Sequence, residues 1–316
     1  MRLLTLMNIL KGFILTCICC MSAIAARGNN RSPYYCFQDV LAGLATGGGT
    51  SGSHGFTINV APDNGEYGCR AKIVSLKGKL VFEYDNWGID IVPVSGKDIN
   101  GDGAPDVVLE GFSGGAHCCW TYSVISLGQQ PGLIREFKNR APASFEDLKG
   151  NGHVEILVRD GGFDEFDRVA HPFSPFPLLI LRLRGRKFLD VGPGFVSVYD
   201  KEIRSEHNRL KPINLETFLH SDPTQIHDDI GYEETQRAVS LIILDYLYSG
   251  RTGEAWKSLK QFWPAADSER IRQEMLDQYC NGLRKNLGVS AGPPCQTGDN
   301  PESLHTRRSA GIPAHQ

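Results

Sequence analysis

The sequence predicts an α+β fold: propeller-like antiparallel β repeats over 34–192, then a small C-terminal helical domain over 193–287. Three observations predict it. A loop rich in Asp, Asn and Gly that runs straight into an apolar strand occurs twice, starting at Asp98 and at Asp147. The starts are 49 residues apart, a blade-like spacing. Short β-branched runs separated by Gly and Asn surround both loops. Beyond Val191 those runs cease and helical composition takes over.

The first 25 of the 316 residues read as a secretory leader. Arg2 and Lys11 form a basic start and Gly12 to Ile24 an apolar stretch too short to span a bilayer. Ala23, Ile24 and Ala25 form an A-x-A cleavage site. None of Cys17, Cys19 and Cys20 has the small residues of a lipobox before it. The mature chain is therefore expected in the periplasm or outside the cell, with no membrane attachment after cleavage. Cleavage takes the formal charge from −3 to −5, and Lys and Arg form no stripe, which argues against nucleic acid as a partner.

Residues 27–33 are a polar lead-in. Tyr34 to Ala45 reads as a short helix, ending at Gly47, Gly48 and Gly49, which lack the lysine and following helix of a phosphate-binding loop. Phe56, Ile58 and Val60 then alternate with polar residues. Arg70–Leu76, Leu80–Tyr84 and Ile89–Val94 follow, and these four runs are expected to form one antiparallel sheet.

The loop Asp98, Ile99, Asn100, Gly101, Asp102, Gly103, Ala104, Pro105, Asp106 has the chemistry of a calcium site. Side-chain oxygens of Asp98, Asn100, Asp102 and Asp106 at positions one, three, five and nine, with the carbonyl of Ala104, suit a hard cation, and the glycines permit the tight turn. The same composition also favours an ion-free Asx turn. A helix-loop-helix hand is excluded. Position twelve is Leu109 rather than Glu, and Val107, Val108 and Leu109 continue as a strand. The pattern resembles the D-x-[DN]-x-D-G-x-x-D loop and following strand of bacterial FG-GAP or VCBS-type repeats. That resemblance, covering roughly Phe56 to Val191, implies blades of a β-propeller or propeller-like domain. Two or three blades are too few to close a normal propeller.

Next come Gly111, Phe112, Ser113, Gly114, Gly115, Ala116, His117, Cys118, Cys119 and Trp120. Imidazole and thiolates suit a soft metal or redox role, but adjacent cysteines point to opposite faces of a strand. Strands are expected over Val107–Glu110, Cys119–Leu127, Leu133–Phe137 and Ser144–Phe145. The second loop then runs Asp147, Leu148, Lys149, Gly150, Asn151, Gly152, His153, Val154, Glu155. Lys149 at position three and Asn151 at position five remove anionic oxygen and add an ammonium able to occupy the ion's place, so no calcium or weak binding is expected there. Asp160 to Asp167 is an acidic loop, expected to be solvated or to add calcium ligands. Asp164, Glu165 and Asp167 could alternatively serve hydrolysis.

Strands at Leu178–Arg184 and Lys187–Val191 close the β region. Ser205–Leu210 reads as the end of a short helix and Lys211–Ile230 as irregular. Helices are expected over Tyr232–Tyr248, over Gly253–Trp263 and from Asp267, as N-cap, towards Gly282. Their aromatic stripe is expected to be core. Residues 288–316 read as a disordered tail.

Six cysteines remain after cleavage, allowing fifteen pairings. Local closure favours Cys36 with Cys69 and Cys280 with Cys295. Cys118 and Cys119 are left to form a vicinal disulfide, remain thiols or reach elsewhere. The sequence thus points to an exported calcium-binding β-repeat protein, a binding or structural module for a protein or glycan ligand. The alternatives are a secreted hydrolase using the acidic loop and a Cys/His redox or metal-handling protein.

Overall fold

The computed structural model describes residue 36 and residues 55–62, 68–115, 119–222, 229–290 and 294–295. The expected leader, the helix expected at 34–45 apart from Cys36, the glycine run at 47–49, His117, Cys118 and the tail from 296 lie outside them.

Eleven strands are described: β1 (Phe56–Pro62), β2 (Cys69–Ser75), β3 (Leu80–Asn86), β4 (Gly88–Ile91), β5 (Asp106–Phe112), β6 (Trp120–Ser126), β7 (Gly132–Asn139), β8 (Ala143–Glu146), β9 (Glu155–Arg159), β10 (Leu178–Arg184) and β11 (Lys187–Asp190). They form three antiparallel sheets, β1-β2-β3, β4-β5-β6-β7 and β8-β9-β10-β11. Each is a meander, and no closed barrel or propeller forms among the described residues.

The four runs before the first loop therefore do not share one sheet. A single residue, Trp87, separates β3 from β4, too little for a hairpin. The chain instead carries β4 into the next sheet, where Ile91 pairs with Leu109 and Gly88 with Phe112. The two loops then occupy the same place in two four-stranded units, each joining the first strand to the second.

The middle sheet is covered on both faces, and strict alternation decides which residue goes where. Val107, Leu109 and Ile125 pack with Val60, Ala71 and Ile73 of the first sheet. Val108, Tyr122 and Val124 face the other way and join one core with Ile156, Ile180 and the helices.

The helices are α1 (Val196–Leu210), α2 (Leu215–Leu219), α3 (Ile230–Tyr248), α4 (Thr252–Phe262), α5 (Ser268–Asn281) and α6 (Leu283–Asn286). From Ala238 to Tyr248 helix α3 is apolar on almost every side, as a buried helix must be. It lies against α1, α4 and β10. Helix α1 is longer than its sequence signal because Tyr199 and Ile203, spaced four apart, extend the buried face towards its start. Asp267 precedes α5 but makes no capping bond; its carboxylate accepts from Trp263 Nε1 at 3.1 Å and from Arg270 Nε at 2.6 Å. The indole and guanidinium outcompete the orphan amides.

Arg284 of α6, 2% exposed, ties the C-terminal helices to the last sheet. Its Nη1 donates to Asp190 Oδ2 at 2.5 Å and its guanidinium lies 4.4 Å from the Tyr279 ring centroid. Two disulfides, Cys36–Cys69 and Cys280–Cys295, match the local pairing, with Cα atoms 5.6 and 5.8 Å apart. Disulfides suit an oxidising compartment. Among the described residues no helix is long and apolar enough to cross a membrane.

Arg284→Ala leaves Asp190 without its buried partner and is expected to cost about 3–5 kcal/mol, read by urea denaturation. A second prediction concerns Asp245 in α3, 1% exposed. Burial pushes its pKa up to about 8, with Arg159 opposing and Glu202 and Glu206 contributing. The native state therefore holds the proton that the unfolded chain releases near pH 4, and stability falls as pH rises towards 8. Asp245→Asn, which keeps an acceptor for the Leu178 amide, is expected to gain roughly 4 kcal/mol on wild type between pH 5 and pH 9.

Candidate functional site: a duplicated Asx loop

The two loops fold alike. Gly103 N–H donates to Asp98 Oδ2 at 2.9 Å, and Gly152 N–H to Asp147 Oδ2 at 2.7 Å. Asp102 and Asn151 N–H reach the other oxygen of the same two aspartates, at 3.1 and 3.0 Å. The position-seven amides, of Ala104 and His153, bond the position-five side chains, Asp102 and Asn151, at 2.8 and 3.1 Å. Glycines at positions four and six take positive φ in both: 78° and 85° at Gly101 and Gly103, 63° and 85° at Gly150 and Gly152. A side chain there would be strained, so the pattern is a backbone requirement as much as a ligand one.

Position nine anchors each loop. Asp106 and Glu155 are both 0% exposed, at the first residue of β5 and β9. Asp106 Oδ2 accepts from the Ile99 and Asn100 amides at 2.8 and 3.1 Å, and Glu155 Oε2 from the Leu148 amide at 3.1 Å. The second oxygen separates them. Glu155 Oε1 takes the Arg182 guanidinium, Nε at 3.1 Å and Nη2 closer still. Asp106 Oδ1 is buried with no hydrogen-bond partner.

The difference lies at one ladder position. Asp106 pairs with Ser126 across β5 and β6. The β9–β10 register pairs Ile156 with Leu181, so its next step sets Glu155 opposite Arg182. Ser126 thus stands where the second unit carries its cation. Burial, with Asp102 and Asp98 adding to it against the Ile99 and Asn100 bonds, lifts the Asp106 pKa to about 7. Lys149 does not fill the second loop; its Nζ lies 4.5 Å from the Phe195 ring centroid.

Asn100 is buried, Asp102 exposed and Ala104 half-buried. Asn100 Nδ2 donates to Asp102 Oδ2 at 3.0 Å. With the loop oxygens occupied by backbone amides, Asp98, Asp102 and Asp106 do not converge as a metal cluster, and among the described residues no group of three His, Cys, Asp or Glu does so. The orphaned Asp106 oxygen is the observation that bears on a hard cation among Asp98, Asn100, Asp102, Asp106 and the Ala104 carbonyl. The loop and the adjoining β6–β7 connection, Leu127 to Pro131, together line a groove of about 1270 Å³. A Cβ on Gly128 would lie 2.9 Å from that of Ala104, so glycine permits this approach.

The acidic loop is not a solvated face. Asp164 accepts from Ser174 Oγ and Arg140 Nη1 at 3.1 Å each and lies 2.5 Å from His171 Nδ1. The Asp164 side chain is 2% exposed, and although burial raises its pKa, His171, Ser174 and Arg140 bring it below the ordinary value. Asp167 is held by Arg270 at 2.8 Å and Gln236 at 2.9 Å, and Asp160 by Tyr248 at 2.5 Å. These carboxylates serve separate partners on distant segments, which spacing alone did not reveal. His171, unremarkable in the sequence, becomes the close partner of Asp164. Cys119 is in a disulfide whose partner lies outside the described residues.

The chain is thus an antiparallel α+β protein built on two sheets with matching Asx loops. Comparison with known proteins found no matching family model, curated protein or solved structure.

Asp106→Asn replaces the unpaired carboxylate by a neutral isostere. It is expected to raise the melting temperature by about 2–4 °C at pH 8, above the Asp106 pKa of about 7, where a buried unpaired charge is relieved.

Proposed function

We propose that the protein is an exported calcium-binding β-repeat module related to FG-GAP or VCBS-type repeats, whose ion steadies one wall of a ligand groove. The observation that carries the reading is Asp106 Oδ1, a buried carboxylate oxygen without a partner in a loop whose twin neutralises the same position with Arg182. Asp98, Asn100, Asp102, Asp106 and the Ala104 carbonyl would hold the ion. When bound, calcium supplies the counter-charge that the first unit lacks. The second loop, with its charge balanced internally, has no need of an ion.

Face-to-face stacking of the four-stranded units supports a propeller-like arrangement of blades, and the basic, apolar and A-x-A segments of the leader support export. The binding role rests on the groove: the loop and the Leu127–Pro131 connection lie along it, so fixing the loop fixes the groove's shape. The occupant expected there is a protein or glycan.

The deciding measurement is melting with calcium, with magnesium and with chelator. At a free calcium concentration about a hundred times Kd, mass action contributes about 2.7 kcal/mol, or about 5–10 °C for a chain of this size. The rise is expected with calcium, to be lost in Asp98→Ala plus Asp102→Ala; identical melting in calcium and chelator would refute the site. Ser126→Arg, which places a guanidinium opposite Asp106 as Arg182 stands opposite Glu155, is expected to melt at the same temperature in both conditions.

A further inference from the structure

A second cavity, of about 630 Å³, opens where the end of the β5–β6 hairpin meets α1 and α3. It shares no lining residue with the groove beside the Asp98 loop. One side is aromatic: Trp120 leans on Phe112 with ring centroids 4.7 Å apart. Arg140, Arg159, Arg209 and Arg237 also line the cavity. Arg140 is held by Asp164 at 3.1 Å and Arg159 by Glu202 at 2.8 Å. Arg209 and Arg237 share one carboxylate, Glu206, at 3.4 and 3.7 Å.

Two guanidiniums on one acid leave the cleft with an excess positive charge in a protein whose net charge is −3. Glu206 is 7% exposed and its Oε2 is sealed from solvent, so the acceptor open to the cleft is the Glu202 side chain, 33% exposed. Burial raises the Glu206 pKa, with Arg237 and Arg209 opposing. The cleft therefore offers an aromatic face, cationic forks suited to a carboxylate, and in Glu202 an acceptor for a hydroxyl.

We propose that this cleft binds an acidic sugar, with the ring against Trp120, the carboxylate on Arg209 and Arg237, and hydroxyls donating to Glu202. A flat aromatic acid would satisfy the guanidiniums but bring no hydroxyl donor for Glu202, and a neutral sugar would leave the excess charge unmet. The volume suits a mono- or disaccharide. The site does not depend on the calcium reading, because its residues come from different segments.

The test is calorimetric titration of the protein, in calcium and again in chelator, with glucuronate, galacturonate and digalacturonate. Glucose, galactose and benzoate are the comparison ligands. Uronate binding is expected in both conditions, with the neutral sugars and benzoate weaker by about tenfold or more. Arg209→Gln is expected to weaken uronate binding by about tenfold, and Trp120→Ala comparably. The Arg209 side chain is 63% exposed, so that variant keeps the fold and decides the matter if Trp120→Ala does not fold. Absence of saturable uronate binding, unchanged affinity in Arg209→Gln, or benzoate binding as tightly as the uronates would each overturn the proposal. Binding lost only in chelator would overturn its independence from calcium.

Discussion

Each four-stranded unit buries a carboxylate at the first residue of its second strand, and the loop before that strand is folded around it. Asp106 and Glu155 accept amides from the residues that open their loops, so the acid is the internal end of the turn. Removing an anion from water is unfavourable unless its second oxygen meets a donor or a cation. The second unit meets that condition with a guanidinium from the neighbouring strand. The first has only a serine at the corresponding place. One architecture thus carries two solutions to one electrostatic problem, one internal and the other left to an ion in our reading.

The same accounting organises the far side of the molecule. Arg284 and Asp190 are both largely buried and paired, with Tyr279 against the guanidinium, and they bind the terminal helices to the last sheet. Asp160 meets Tyr248 from α3, and Asp167 meets Arg270 from α5. The acidic loop that looked solvated in isolation is a fastening between β9 and the helices. Its backbone shows the constraint: Glu165, Asp167 and Arg168 all adopt positive φ, at 54°, 51° and 68°, which non-glycine residues hold only when the surroundings require it.

Much of the architecture was legible. Period-two alternation located β1, the apolar runs after the two loops located β5 and β9, and the Asp98 and Asp147 loops were recognisable as one motif. Misreadings arose where the answer depended on a partner distant in sequence. Strand β4 was assigned to the wrong sheet because only pairing with β5 places it. Lys149 was read as able to occupy the ion's place in its loop, whereas Phe195, 46 residues on, draws its ammonium away. The Asp267 carboxylate was taken for a cap, but Trp263 and Arg270 claim it.

The sequence by itself determined the loop chemistry, the glycine positions, the alternation that makes the middle sheet two-faced and the local disulfides, because each depends on residues close together in the chain. Tertiary structure decided the charge balance. Whether a buried acid has a counter-ion depends on the residue across the ladder, 20 positions away for Asp106 and Ser126 and 27 for Glu155 and Arg182. Register, rather than composition, brings such pairs together, and it is settled only when the sheets have packed.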